Sequence, residues 1–279
     1  MIKVSTTFII VLLFAACAPG PPERVSVATA IKRLKPGLKV FQPDGAAPFK
    51  TILMFHGAGR GPAWDARYEA QIRQFVAHDY AVVFVDMFAS RGGTGTPVFN
   101  GTILPKETAG DVMLSLDWAS KQPWVDGTKI VAWGYSFGAT SVMDALTYSA
   151  EGKVPTGLTD RPANGATGFA AVLLTAPWCK ADVMGFNLIA SVHEEFAAFP
   201  PLLALLPMRD TVSNQKLCKK ILERNRKYNV HLEIKTYQSA QHRFLFPRDS
   251  KGNKESHYER AAAEDATKSW LAFLDRHLK

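Results

Sequence analysis

Two glycines flank a serine in Gly134-Tyr135-Ser136-Phe137-Gly138, where the apolar run 129–134 stops and small, helix-compatible residues begin. A turn needs one glycine at most. A pair around a hydroxyl points to a strand–turn–helix elbow, in which backbones pass close together and the serine is held in a strained conformation with its side chain pushed out. Such a hydroxyl is a candidate nucleophile. It is weak at neutral pH, so it needs a base within hydrogen-bond reach and a third group to orient that base. The chain supplies an acid and then a histidine after the serine. Asp210 follows the apolar run 201–207, and His242 follows the run 231–237.

Both choices have rivals. Asp210 also reads as a cap for a helix starting near Ser213, and Asp182 is a second candidate acid. His193, His231 and His257 compete with His242. His231 opens a strand and His257 opens the last helix, whereas His242 falls in the loop between them. A tetrahedral intermediate also needs hydrogen-bond donors for its oxyanion. The backbone N–H of Phe137, just after the serine, is one candidate. The loop "HGAGRG" at 56–61 offers the other, with Ala58 as the reading and Gly57 as its alternative. His56 reads as a structural residue bonding within that loop.

These groups need a frame that gathers them at one edge. Apolar runs at 51–55, 81–88, 129–134, 169–176, 201–207 and 230–237 read as strands. Helices are expected from Trp64, over 106–121, after Ser136, over 213–227 and over 257–278, the last with Trp270, Phe273, Leu274 and Leu278 on one side. Alternation of this kind predicts the α/β class: a mostly parallel central sheet with helices on both faces. Sites in such sheets lie at the carboxyl ends of the strands, where Ser136, Asp210 and His242 all fall. Residues 90–102 form a long glycine-rich loop, and 180–200 read as a short helix or a lid.

The chain has 279 residues, 47% of them hydrophobic, enough for one large core. The formal charge is +8. The one dense basic cluster, "KKILERNRK" at 219–227, lacks interleaved aromatics and reads as a solvated helix face, so no nucleic-acid partner is expected. The start differs in kind. Lys3 precedes the apolar stretch "TFIIVLLFAA", too short for a comfortable membrane span. It ends at Cys17 and "APGPPE". Small residues before a lone cysteine resemble a bacterial lipobox, although Phe14 is unusual there. The reading is a signal peptide at 1–16, lipidation at Cys17, a linker and lead-in at 17–37, and one domain at 38–279. Ala18 after the cysteine points to an outer-membrane lipoprotein in the bacterial cell envelope, facing the periplasm. A periplasmic or secreted protein is the alternative. With Cys17 acylated, Cys179 and Cys218 remain as an even pair, free to form a disulfide in an oxidising compartment or to stay as buried thiols.

Over most of 38–278 the chain resembles the dienelactone hydrolase-like branch of the α/β-hydrolases. The matching pieces are "MFHGAG", "VDMFASRG", "WGYSFGA", "PWC", "RDTVSNQKLC" and "SAQHRF". The resemblance implies the α/β-hydrolase fold, Ser136, Asp210 and His242 as a triad, and a Cys179–Cys218 disulfide as in exported members. It also implies hydrolysis of a small ester-type substrate without a metal or organic cofactor. There are departures. Dienelactone hydrolase proper uses a cysteine nucleophile, and it carries a glutamate where this chain has His56. It grips its substrate's carboxylate with two arginines. Arg91 matches one, but Phe246 stands at the second, where Arg243 or Arg248 would serve only after rearrangement. Dienelactone is therefore not the expected substrate. The alternatives are a serine peptidase or thioesterase of the same fold, and a catalytically silent envelope binding protein. Oligomeric state is left open.

Overall fold

The computed structural model describes residues 23–59, 67–91, 93, 98, 103–179, 200–227 and 229–279, and the backbone alone at 182–183 and 186–187. Its centre is a seven-stranded sheet in the order β1-β3-β2-β4-β5-β8-β9. The strands are β1 (Leu38–Phe41), β2 (Phe49–Phe55), β3 (Tyr80–Val85), β4 (Val125–Tyr135), β5 (Ala171–Thr175), β8 (Leu202–Pro207) and β9 (Leu232–Tyr237). Only the β1–β3 pair is antiparallel. Asp182–Val183 (β6) and Phe186–Asn187 (β7) form a separate two-stranded hairpin.

Side-chain alternation along β4 shows why both faces must be covered. Gly134 faces helix α4 (Phe137–Ala150): a Cβ there would lie 2.6 Å from Ala139 Cα. Trp133, one residue earlier, faces the other way and meets Trp270 of helix α6 (Arg260–His277) at 5.7 Å between rings. Phe75 of helix α2 (Glu69–Val76) joins Trp270 on that side. Helix α3 (Pro105–Ala119) packs beside α4, and α5 (Gln215–Asn225) lies against β8 and β9. Strands β3, β5 and β8 are buried throughout, as are Thr51–Phe55 of β2 and Ile130–Tyr135 of β4, which accounts for their apolar runs. Each large side chain fully buried there contributes about 1.5–3 kcal/mol.

The structure shortens one expected strand and adds two elements. Strand β3 stops at Val85, three residues short of the apolar run, because Asp86 Oδ1 accepts the N–H groups of Phe88 and Ala89 and turns the chain. The lead-in after the linker holds a helix that the sequence reading did not assign. Helix α1 (Val27–Leu34) buries Leu34, and Val25 exchanges backbone bonds with Gly157 and Thr159, so residues 23–37 belong to the folded body. Strand β1 extends the sheet where no apolar alternation announces it. Trp64, most of the loop 90–102, most of 180–200 and Cys17 lie outside the described residues. Among the described residues no helix is long and apolar enough to cross a membrane.

Candidate active site

Ser136 follows the last residue of β4 at φ 53° and ψ −117°, a left-handed φ that costs a non-glycine residue energy. Its N–H donates to Thr175 O at 2.9 Å, tying the elbow to the end of β5. The elbow glycines are explained by contact. Gly134 leaves room for Ala139, and a Cβ on Gly138 would come within 2.6 Å of the carbonyl oxygens of Phe55 and His56 at the end of β2.

Three side chains from distant parts of the chain then meet. His242 Nε2 lies 2.9 Å from Ser136 Oγ, and His242 Nδ1 lies 2.6 Å from Asp210 Oδ2. A carboxylate only accepts, so Nδ1 carries the ring proton and Nε2 is left to accept from the serine hydroxyl. The Asp210 side chain is fully buried. Its Oδ1 accepts the N–H groups of Val212 and Ser213, and its Oδ2 also accepts from Gln215 Nε2 at 2.9 Å. The cap of α5 is Asn214, whose Oδ1 accepts Leu217 N–H, so the rival capping role of Asp210 falls to another residue. His242 is steadied from behind by the Tyr135 hydroxyl, which donates to its carbonyl at 3.1 Å. Burial raises the Tyr135 phenol well above its usual pKa, with Tyr68 adding to the rise, so the hydroxyl stays a donor. His231 instead lies at the far, amino-terminal end of β9 beside His277, and His257 sits in the loop before α6. His193 and the Asp182 side chain lie outside the described residues.

The serine opens into a cavity of about 280 Å³. Among the described residues, Ala58, Arg67, Tyr135, Trp178, Val212 and Arg243 line it, with Ser136 and His242 at its base. The Gly57 N–H is already engaged, donating to the Tyr68 hydroxyl at 2.9 Å, while Ala58 stands at the cavity wall. Phe137 is the first residue of α4, so its N–H has no earlier carbonyl within the helix to meet. His56 is fully buried and bonds Gly57 O and Met87 N–H.

Arg91 is not a cavity residue, which corrects its reading as a substrate contact. Its guanidinium pairs with Asp111 through both nitrogens, at 2.5 and 3.2 Å, and also binds the carbonyls of Met87 and Glu107. Burial raises the Asp111 pKa even though Arg91 pulls it down. Phe246 packs edge-on against Tyr135 in the aromatic layer, 4.7 Å between rings. Arg243 does reach the cavity, and its Nη1 also bonds Glu255 at 3.0 Å. Arg248 binds Gly252 O and does not line the cavity. Sequence reasoning gave no cavity role to Arg67, Tyr135, Trp178 or Val212. Trp178 was reachable, because "PWC" follows a strand that ends beside the elbow.

Cys179 and Cys218 are joined by a disulfide with Cα atoms 5.4 Å apart. It fastens the segment after β5 to helix α5. Ser213 Oγ and Gln215 Nε2 both donate to Pro177 O, and Trp178 Nε1 donates to Val212 O, across the same seam. The Thr140 hydroxyl bonds both the N–H and the carbonyl of Trp178, extending the seam to α4.

Residues 181–278 match the model of the dienelactone hydrolase family, and residues 36–154 match that of the X-Pro dipeptidyl-peptidase (S15) family. Both are α/β-hydrolase families. The chain has the α/β-hydrolase fold. Esterase 2 of Thermogutta terrifontis shares its fold. The butyrate-bound form gives a TM-score of 0.62 at 16% identity, covering 86% of this chain and 88% of the other. The form phosphorylated by paraoxon gives 0.63 at 16% identity over the same shares, and the apo form gives 0.62 at 16%. No curated protein sequence matches this chain.

Proposed function

We propose that this α/β-hydrolase cleaves a carboxylic ester-type bond of a small substrate through a serine-bound acyl-enzyme. The observation that carries the reading is the unbroken line of hydrogen bonds Asp210–His242–Ser136 ending at an open cavity. His242 Nε2 takes the hydroxyl proton as Ser136 Oγ attacks the carbonyl carbon. The negative charge moves to the carbonyl oxygen, which the N–H groups of Phe137 and Ala58 receive. Asp210 holds the imidazole in its tautomer and stabilises the imidazolium. The histidine gives its proton to the leaving alcohol, then takes one from water, whose oxygen attacks the acyl carbon. Collapse returns the proton to Ser136 and frees the acid. The fold shared with an esterase whose structures include butyrate-bound and phosphorylated forms supports this reading.

The match to the X-Pro dipeptidyl-peptidase family favours a second reading, cleavage of a peptide bond by the same groups. Short p-nitrophenyl esters and an X-Pro p-nitroanilide, offered to protein lacking residues 1–17, separate the two. Ester turnover that falls by about 10⁴-fold or more in Ser136→Ala supports the first reading. Turnover or fluorophosphonate labelling that survives Ser136→Ala refutes both. The proposal extends to location: the lipobox-like run ending at Cys17 would hold the enzyme on the outer membrane, facing the periplasm.

A further inference from the structure

The candidate oxyanion donor Ala58 N–H belongs to a peptide unit whose other polar end is Gly57 C=O. A trans peptide is planar, and its N–H and C=O point in opposite directions. Whatever grips the Gly57 oxygen therefore aims the Ala58 N–H. That oxygen lies 2.9 Å from His56 Nδ1. His56 Nε2, 3.0 Å from the Met87 nitrogen, accepts the Met87 N–H, so the ring proton must sit on Nδ1 and be donated to Gly57 O. The ring cannot swing away. It is fully buried, stacked on Phe84 at 5.6 Å and edge-on to Phe88 at 4.6 Å. The Met87 peptide is itself fixed, since Arg91 Nη1 donates to Met87 O at 2.8 Å while Asp111 holds the guanidinium through both nitrogens.

We propose that His56 is a positioning residue for the oxyanion donor Ala58 N–H, acting through the Gly57–Ala58 peptide plane, with the Arg91–Asp111 pair as its support. The proposal rests on the ester-hydrolysis reading. It gives Arg91 a part in the reaction from the far side of the loop. Oxyanion contacts strengthen in the transition state, so loosening the donor lowers kcat and leaves KM nearly fixed.

The test compares His56→Gln, which keeps an acceptor for Met87 N–H but loses the Nδ1 donor, with His56→Asn, which keeps a donor at the Nδ1 position. Loss of one oxyanion donor costs about 10²–10³ in kcat. His56→Gln should lose about 10²-fold in kcat, with KM within about threefold and fluorophosphonate labelling slowed in parallel. His56→Asn should recover at least tenfold of that loss. Arg91→Met should lose about tenfold and serves if the His56 variants do not fold. In the wild type, ¹⁵N shifts of His56 should show a protonated Nδ1 and an unprotonated Nε2. A wild type with no ester turnover overturns the functional reading. An active wild type with unchanged kcat in His56→Gln, an Asn variant no better than Gln, or an Nε2-protonated His56 overturns this proposal alone.

Discussion

Gly138 lies directly beneath the turn that leaves β2, where a Cβ would stand 2.6 Å from the carbonyl oxygen of His56. The elbow at Ser136 and the turn into the proposed oxyanion loop are therefore in backbone contact, with only the glycine hydrogen between them. Gly138→Ala forces apart two backbone segments at the ends of central strands, neither of which gives as a side chain would. Overpacking of this kind costs about 1–3 kcal/mol. The variant should melt several degrees lower and lose most ester turnover. Gly110→Ala on α3 is the control: its Cβ would meet Pro155 Cβ at an ordinary 3.4 Å. Alanine is the better helix former by about 1 kcal/mol, so this variant should keep its activity and melt no lower. Thermal melts with ester assays decide both.

Asp210 can be separated from its loop role. In Asp210→Asn the remaining oxygen still accepts the Val212 and Ser213 N–H groups, so the loop should persist and the fold with it. The His242 ring then loses its carboxylate and takes the wrong tautomer. A loss in kcat of about 10⁴ is expected, with an unchanged circular dichroism spectrum. Asp182→Asn should leave turnover near wild type. Greater damage from the Asp182 change would reverse the assignment.

The sheet is legible in the sequence because the central stretches of its inner strands are buried on both faces and carry mostly apolar side chains. Ile52 to Phe55 and Leu202 to Leu206 show this directly. Strand β1 escapes the same test. It is an edge strand with Lys39 and Val40 exposed, so its pattern carries little signal. Helix α1 is amphipathic but follows a Pro-rich stretch, and nothing local shows that Leu34 is buried. The elbow could be read because Gly134, Ser136 and Gly138 answer to local sterics. Arg91 misleads because its partner, Asp111, is twenty residues away on α3, and only the fold brings them together. The route from Asp111 to the Gly57 carbonyl runs through main-chain groups at Met87, which a residue pattern does not record.

The proposed location rests on Cys17, upstream of the folded body. If Cys17 carries the lipid, Cys17→Ser should move the protein from the membrane to the soluble fraction and abolish labelling by a radioactive fatty acid. Two acyl signals are needed for stable anchoring, so the loss should be complete rather than graded. Wild-type protein that fractionates as soluble and takes up no label would end the lipoprotein proposal.

The disulfide ties the acid's loop to the sheet. Cys179 follows Trp178, whose indole N–H binds Val212 O, and Cys218 lies one turn beyond Gln215, which binds Asp210. The bridge spans 39 residues. A loop of that size stabilises by about 4 kcal/mol in the chain-entropy account, and bridges usually deliver about 2–4. At about 2–4 °C per kcal/mol, Cys218→Ser should lower Tm by roughly 5–15 °C. The second effect is on the reaction. Ser213, Gln215 and Val212 share the seam with Pro177 and Trp178, so releasing the bridge frees the segment that presents Asp210 to His242. Well below Tm, kcat should fall several-fold while KM changes little, because the acid acts on the imidazolium formed in the transition state. Reduction of the wild type should reproduce both effects, and reduction of Cys218→Ser should add nothing. A variant that melts lower yet turns over at the wild-type rate would make the bridge a stabilising link only. Mass spectrometry of unreduced protein comes first: free thiols at Cys179 and Cys218 would remove the basis for either effect.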